Sequence, residues 1–410
     1  MTDKTTNKSA DEPAAFVPLA KYDVPDLPTS DSLQILWTRM RELFRREAPG
    51  PLITDDRLRR STLEMLDEIV SPPACGPLLE ELQHSLADWL ADDAPRVRNR
   101  LIVMPPGDRN NVIRVWAEQQ GHEVLAPPDR DEIIGGRAGH RFEMPALNGD
   151  GVLVIPALEQ WFMRHRNGLH LIRRLLASLD GLDRHVVVGC NSWAWQYLVR
   201  AVRADIIFGG PITFRAFDAH RLHDWFSVIS VSEQLGEVRF LDSKTGEDVM
   251  TVSEKDDSPH DFLVSLAARS RGIPWVAWRL WRRSLRRRIQ LEADADKTDQ
   301  EDTNTPADPA EEAEVDDAHT LWVIALEEFS LPGADSDNTL LILQALLIHG
   351  PLTPIQLSSV LPIVGDSNLL SSLIAAGLVE RDDDLVACAP AAYSAIRTGL
   401  TTAGFPIAEI

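Results

Sequence analysis

Cysteine is scarce in this chain: Cys75, Cys190 and Cys388 are the 3 such residues in 410. They are far apart and odd in number, so they support neither a disulfide framework nor a zinc site, and a reducing cytoplasmic setting is expected. Positive charge is also in deficit. Lys and Arg total 41 against 63 Asp and Glu, a formal net charge of −22. That balance argues against nucleic acid as a partner, because phosphate binding needs clustered cations. Long apolar runs are missing too. The least charged stretch, Asn338 to Gly365, is broken by Gly350, Pro351, Pro354 and Pro362, well short of the ~20 apolar residues of a membrane span. Met1 to Asp11 is polar, so no secretory signal is expected. What remains is ample material for folding: 44% of residues are hydrophobic. The length exceeds the roughly 250 residues at which one core stops growing, so two or three domains are expected in a soluble cytoplasmic protein.

Composition and periodicity divide the chain. Residues 1–29 are polar and aperiodic and read as a disordered tail. Residues 30–97 carry three helical patterns, the third marked by Leu78, Leu82, Leu86 and Leu90. From 98 to 226 short apolar runs alternate with helical stretches: Leu101 to Met104, Val112 to Gln120, His122 to Leu125, Gly151 to Ile155, a helix from about Ala157 to Leu179, His185 to Gly189, a helix near Ser192 to Val202, and Ile212 to Phe217. Runs apolar on both faces, such as Val186 to Val188, suit central parallel strands covered by helices on both sides. The expected fold is therefore α/β, a doubly wound parallel sheet. Residues 227–290 read as a hairpin, Arg239 to Val252, followed by a helical lid. Residues 291–318 hold twelve carboxylates against Lys297 and read as a solvated acidic linker. Residues 319–410 give three helices and a two-stranded wing around Asp382 to Asp384, the winged-helix arrangement.

In doubly wound sheets, ligands sit at the carboxyl ends of the strands. There the first core strand runs into Pro105, Pro106, Gly107, Asp108, Arg109, Asn110 and Asn111 before a helix. Gly151 to Phe162 follows in the place of a second nucleotide motif. Asn191 ends a strand, and Ser270 to Trp275 reads Ser-Arg-Gly-Ile-Pro-Trp within the lid. This order resembles AAA+ P-loop ATPases of the origin-recognition and STAND-like branch. The resemblance implies a phosphate loop at Pro106 to Asn111, a sensor at Asn191 and a second sensor near Trp275.

The chemistry departs from that pattern. Asn110 stands where the resemblance places Lys, Asn111 where it places Ser or Thr, and Arg109 at a glycine position. Asp108 adds negative charge beside any phosphate. The acidic pair for metal and water reads Pro156 and Ala157, with Glu159 displaced onto the following helix, where a surface residue is expected. The reading is a pseudo-ATPase with a vestigial site at Pro106, Gly107, Asp108, Arg109, Asn110, Asn111 and Asn191. No catalytic residue or metal is assigned, and no cofactor is expected. Binding of ATP with Mg is the alternative. An ordinary strand-to-helix turn at Met104 to Gly107 and a helix cap at Asn191 stay open as plainer readings. Arg200 and Arg203 are candidates for an inter-subunit arginine finger or for surface ion pairs.

Two further features bear on partners. Eight arginines lie between Arg269 and Arg288 with no acid among them, and Trp275, Trp278 and Trp281 interleave at helical spacing. With Arg282, Arg283, Arg286 and Arg287 they form a candidate surface for a protein, an anionic membrane surface or nucleic acid; tryptophans packed in a lid core are the alternative. In 319–410 the only cations are Arg381 and Arg397, so this winged helix is read as a protein-interaction module rather than a DNA reader. The expected function is a regulatory or scaffold protein acting through its winged helix and lid. An atypical ATP-dependent switch and a nucleic-acid or membrane-surface adaptor are the alternatives.

Overall fold

The computed structural model describes residues 14–26, 58–60, 76–93, 95–143, 151–229, 231–232, 236–253, 258–288, 320–332, 336–365 and 368–410. The first half contributes β1 (Phe16–Pro18), β2 (Leu58–Arg60), α1 (Leu78–Leu90), β3 (Asn99–Met104), α2 (Val112–Gln119), β4 (Glu123–Val124), α3 (Arg130–Ile134), α4 (Ala138–Arg141), β5 (Leu153–Ile155), α5 (His170–Leu179), β6 (Val186–Asn191), α6 (Ser192–Val202), β7 (Ile212–Phe214) and α7 (Ala219–Ile229). The second half adds β8 (Arg239–Asp242), α8 (Asp261–Arg269), α9 (Pro274–Ser284), β9 (Leu285–Arg288), β10 (Thr320–Val323), α10 (Ser336–His349), α11 (Pro354–Val360), α12 (Leu369–Ala375), β11 (Val379–Asp382), β12 (Leu385–Cys388) and α13 (Tyr393–Thr402).

The core is a six-stranded sheet in the order β1-β7-β3-β6-β5-β4. Strands β7, β3, β6, β5 and β4 run parallel. The chain leaves β3 for the far edge at β4, returns through β5 to β6 beside β3, and then crosses to β7 on the other side. The strand order thus reverses at β3, the position at which α/β sheets bind ligands. All six residues of β6 are buried, as expected for a strand covered on both faces. This is the expected doubly wound α/β fold, followed by a helical lid and a winged helix.

Of the expected tail, residues 14–26 lie among the described residues and are ordered, and the rest lies outside them. Within 1–29, β1 pairs antiparallel with β7, and Phe16 and Leu19 are buried. An edge strand needs only a few apolar residues once a sheet exists to receive it. Of the three preface helices only the third, α1, lies among the described residues, and β2 occupies a place where no strand was expected. The helix expected over 157–179 is interrupted: a 3-10 turn covers Leu158–Trp161 and α5 begins at His170. Between them a turn closes with Met163 N–H donating to Gly168 O at 3.2 Å and Gly168 N–H to His165 O at 2.9 Å.

The hairpin expected over Arg239 to Val252 forms as a short one, with Leu241 bridged antiparallel to Asp248 and Val249 N–H donating to Phe240 O at 2.8 Å. Asp242 N–H donates to Glu247 O at 2.8 Å, but β8 finds its long partner in β10, to which it runs parallel. The second sheet is ordered β8-β10-β9-β2. Thr320–Val323 therefore belongs to the lid sheet rather than to the winged helix, and Leu285–Arg288 is a strand rather than the end of the lid helix. The expected linker over 291–318 lies outside the described residues.

The winged helix comprises α10 to α12 and the wing β11–β12. Helix α11 carries a capping box between Thr353 and Gln356. Helix α10 is apolar nearly all round and buried from Leu340 to His349, Leu341 apart. That is the signature of a helix enclosed on every side, here by the wing and by the core.

One glycine permits a close approach beneath the candidate site. A Cβ on Gly189 in β6 would lie 2.2 Å from Pro156 O and 2.5 Å from Ile113 Cδ1. Gly189→Ala is expected to lower stability by about 2 kcal/mol through overpacking. Urea unfolding checks this; a loss under about 0.5 kcal/mol would mean that the strand ends move apart freely.

Candidate functional site: a strand-to-helix loop closed by its own chain

At the carboxyl ends of β3, β5 and β6 lies a cavity of about 350 Å3. Its floor is Pro105 to Arg109 and Asn111 with Pro156, Glu159, Gln160, Cys190 and Asn191; its roof is the winged helix, from α10 and the wing. Of the residues named for the nucleotide site, Pro106, Gly107, Asp108, Arg109, Asn111 and Asn191 line this one cavity and Asn110 does not, and a second domain is seated on top of it.

The loop geometry begins with two left-handed residues. Gly107 has φ +88° and Asn111 has φ +47°, conformations suited to glycine and tolerated by asparagine. Asn111 caps α2, its side-chain oxygen accepting from Arg114 N–H at 3.1 Å. The loop so shaped turns the Asp108 carboxylate back onto the start of α2. It accepts from Val112 N–H at 2.9 Å, and the backbone N–H groups of Asn110 and Asn111 also point to it. A helix N-terminus with converging N–H groups is an anion site. Here the anion is the protein's own carboxylate. Desolvation outweighs those hydrogen bonds and lifts the Asp108 pKa to about 6.

The other loop residues contact the second and third layers. Arg109 reaches the wing, with Nη2 2.5 Å from Glu380 Oε1 and Nη1 3.7 Å from Asp382 Oδ2. These pairs are partly exposed, so each contributes under about 1 kcal/mol, yet they fix the wing's charge over the loop. Trp275 donates from Nε1 to Pro106 O at 2.9 Å. The Gly107 α-carbon faces the side chains of Pro390 and Trp275. Ser270 to Ile273 is a turn, with Arg271 and Gly272 at positive φ, and the helix starts only at Pro274.

Asn191 fills the helix-cap role considered for it and makes two further contacts. Its Oδ1 accepts from Ala194 N–H at 2.8 Å and so caps α6. Its Nδ2 donates to Ile348 O at 3.1 Å, in the last turn of α10. Its backbone N–H donates to Glu159 Oε2 at 3.0 Å. Glu159 is therefore not the surface helix residue expected: the 3-10 turn after β5 swings it back under the loop. Desolvation there, with the Asp108 charge adding to it, raises its pKa to about 7 against the hydrogen bonds and Arg130 that lower it.

Arg130 had no sequence signal, yet its Nη2 donates to His349 O at 2.5 Å. The carboxyl end of α10 thus has two of its terminal carbonyls, which no residue within the helix can satisfy, satisfied by core side chains. His349 itself is fully buried. Its Nε2 accepts from Arg164 N–H at 3.2 Å, which places the proton on Nδ1. Burial first, then the Arg130 and Arg164 charges, hold its pKa well below the usual imidazole value.

The aromatic–basic lid face is distributed differently. Trp278 and Trp281 are buried, Trp281 fully, stacked on Phe226 with ring centroids 4.2 Å apart. Arg282 is buried with its guanidinium 4.5 Å from the Trp278 ring centre. Arg283 pairs with Glu327 at 2.6 Å. Arg286 bonds the carbonyl oxygens of Arg283 and Leu285, and Arg287 lies in β9. Trp278 and Trp281 are lid core, and Trp275 is partly buried against the loop. Arg203 pairs with Asp205 at 3.2 Å, while Arg200 remains at the surface. Among the described residues no group of His, Cys, Asp and Glu could hold a metal ion, and no helix is long and apolar enough to cross a membrane.

No protein-family model matches the chain, and no curated protein matches it. Several solved structures are similar at low identity, three of them as follows. Cdc6p from Pyrobaculum aerophilum is 13% identical, with 80% of this chain and 94% of that one covered and a TM-score of 0.25. A point mutant of RuvB from Thermotoga maritima is 12% identical, covers 88% and 98%, and has a TM-score of 0.27. The ORC2 protein of Aeropyrum pernix, in ADPNP–ADP complexes, is 12% identical, covers 80% and 93%, and has a TM-score of 0.26.

Proposed function

We propose that this chain is a nucleotide-independent regulator or scaffold built on an AAA+-like architecture, in which the phosphate loop and sensor position hold the winged helix against the core. It acts through protein–protein contacts made by the winged helix and the lid, and it needs neither ATP nor Mg. The observation that carries this reading is the Asp108 carboxylate on the N–H groups at the start of α2, where a bound phosphate would otherwise sit. Arg109, held by Glu380 and Asp382, is turned from phosphate toward the wing. Asn191 hydrogen-bonds a winged-helix carbonyl, which a γ-phosphate sensor could not do while reading a ligand. Phosphoryl transfer depends on positioned cations and acids, and Asn110, Asn111, Pro156 and Ala157 supply neither.

The cavity of about 350 Å3 beside the loop is the observation that favours a second reading, an atypical nucleotide switch. Phosphate release from MgATP separates the two. The expected result is release no faster than in buffer alone. Turnover on the order of 1 s⁻¹, abolished in Asn110→Ala, would contradict the proposal and favour the switch.

A further inference from the structure

A second pocket, of about 540 Å3, opens at the seam between α6 of the core and α10 of the winged helix. One wall is aromatic: Trp193, Tyr197 and Phe405 line it. Two of these rings are held in place. Trp193 donates from Nε1 to Tyr393 Oη at 3.0 Å. Tyr197 stacks on Phe162 with centroids 5.4 Å apart and planes 9° from parallel. The other lining groups include two guanidinium side chains, Arg164 and Arg200. The Arg164 side chain donates from Nη1 to a neutral partner, Gln344 Oε1, at 3.2 Å. Among the described residues neither Arg164 nor Arg200 has a carboxylate at ion-pair distance, so the two guanidinium groups beside the aromatic wall form a local positive site.

We propose that this pocket binds a small organic anion with a flat apolar body, its rings against Trp193, Tyr197 and Phe405 and its anionic head between Arg164 and Arg200. Guanidinium groups recognise planar and tetrahedral oxyanions through charge-assisted hydrogen bonds. The aromatic wall supplies the apolar contact that orients such a ligand. The proposal goes beyond the nucleotide-independent reading and does not depend on it, because no residue of the phosphate loop lines this pocket. A ligand here would touch both α6 and α10, so its occupancy would tie the winged helix to the core more firmly.

The test uses the full chain and 8-anilinonaphthalene-1-sulfonate as probe, with the uncharged N-phenyl-1-naphthylamine as its counterpart, both followed by calorimetry. Saturable binding of the sulfonate is expected, with the neutral amine weaker by about tenfold or more, the worth of one charge-assisted contact. Arg200→Ala is expected to weaken the sulfonate by a similar factor while leaving thermal stability unchanged, since Arg200 is exposed on its helix. Ala201→Trp, which fills the pocket from its lining, is expected to abolish binding. The absence of saturable binding up to about 1 mM, equal affinity for the neutral amine, or sulfonate binding that survives both substitutions would each overturn the proposal.

Discussion

Asn191→Asp is expected to destabilise the protein by about 3 to 5 kcal/mol at pH 7, the cost of leaving an uncompensated charge in the interior. The two side chains have the same shape, so the α6 cap on Ala194 N–H survives. What changes is the second arm. The amide that donates to Ile348 O at 3.1 Å becomes a carboxylate oxygen facing a carbonyl, and it gains a negative charge beside Glu159, whose own carboxylate accepts from the same residue's backbone. Asn191→Ser, which retains a capping oxygen and loses the amide that reaches Ile348 O, is expected to cost about 1 to 2 kcal/mol. Urea unfolding of the three proteins measures the order. A loss under about 0.5 kcal/mol for the Asp variant would mean that Asn191 does not hold α10.

Glu159→Gln is expected to act in the opposite direction, by an amount that grows as pH rises from about 4. The folded-state pKa of Glu159 is raised to about 7, and that of Asp108 to about 6, both chiefly by desolvation. A raised carboxyl pKa means that the folded protein binds the proton more tightly than the unfolded chain. The associated stability is fully present below the unfolded carboxylate range near ~4 and is lost as pH climbs through 6 to 7. Wild type therefore weakens between about pH 4 and 7 through these groups. His349 works the other way: its depressed pKa makes the fold gain stability as pH rises toward the unfolded imidazole value near ~6.5. The difference between wild type and Glu159→Gln cancels His349. The variant should match wild type near about pH 4 and exceed it by on the order of 3 kcal/mol near pH 8. Its amide oxygen still accepts from Asn191 N–H, so the hydrogen bond is retained. Urea unfolding across that range gives the difference curve, and a flat difference would show that Glu159 is solvated and ionised throughout.

The core was legible because its strands announce themselves. Val186 to Val188 and Leu101 to Met104 are apolar on both faces, and only a strand buried on both sides explains that. The partner of β8 was not legible. It lies far downstream in β10, and a parallel pairing leaves no turn residues between its strands, whereas the Asp242 to Gly246 turn offered a nearby hairpin. The lid tryptophans fitted equally a surface face and a core face, because spacing gives the side of a helix and not what covers it. At the site, the charge of Asp108 was read as a repellent of phosphate. Its destination depended on the left-handed backbone at Gly107 and Asn111, which no periodicity reports. Glu159 was assigned to the surface because the apolar pattern from Ala157 onward ran as one helix; the turn at Met163 to Gly168 breaks it and returns Glu159 to the interior.

The central claim is that the loop's N–H groups are already taken by Asp108 and that the winged helix covers them. Thermal unfolding in the presence of MgATP or MgADP tests it most directly. A ligand that binds only the folded state adds ~2.7 kcal/mol at a hundred times its dissociation constant, a readily measured rise in the midpoint. No rise is expected with either nucleotide at millimolar concentration. A concentration-dependent rise that disappears in Asn191→Ser would contradict it and would mark the loop as a working nucleotide site.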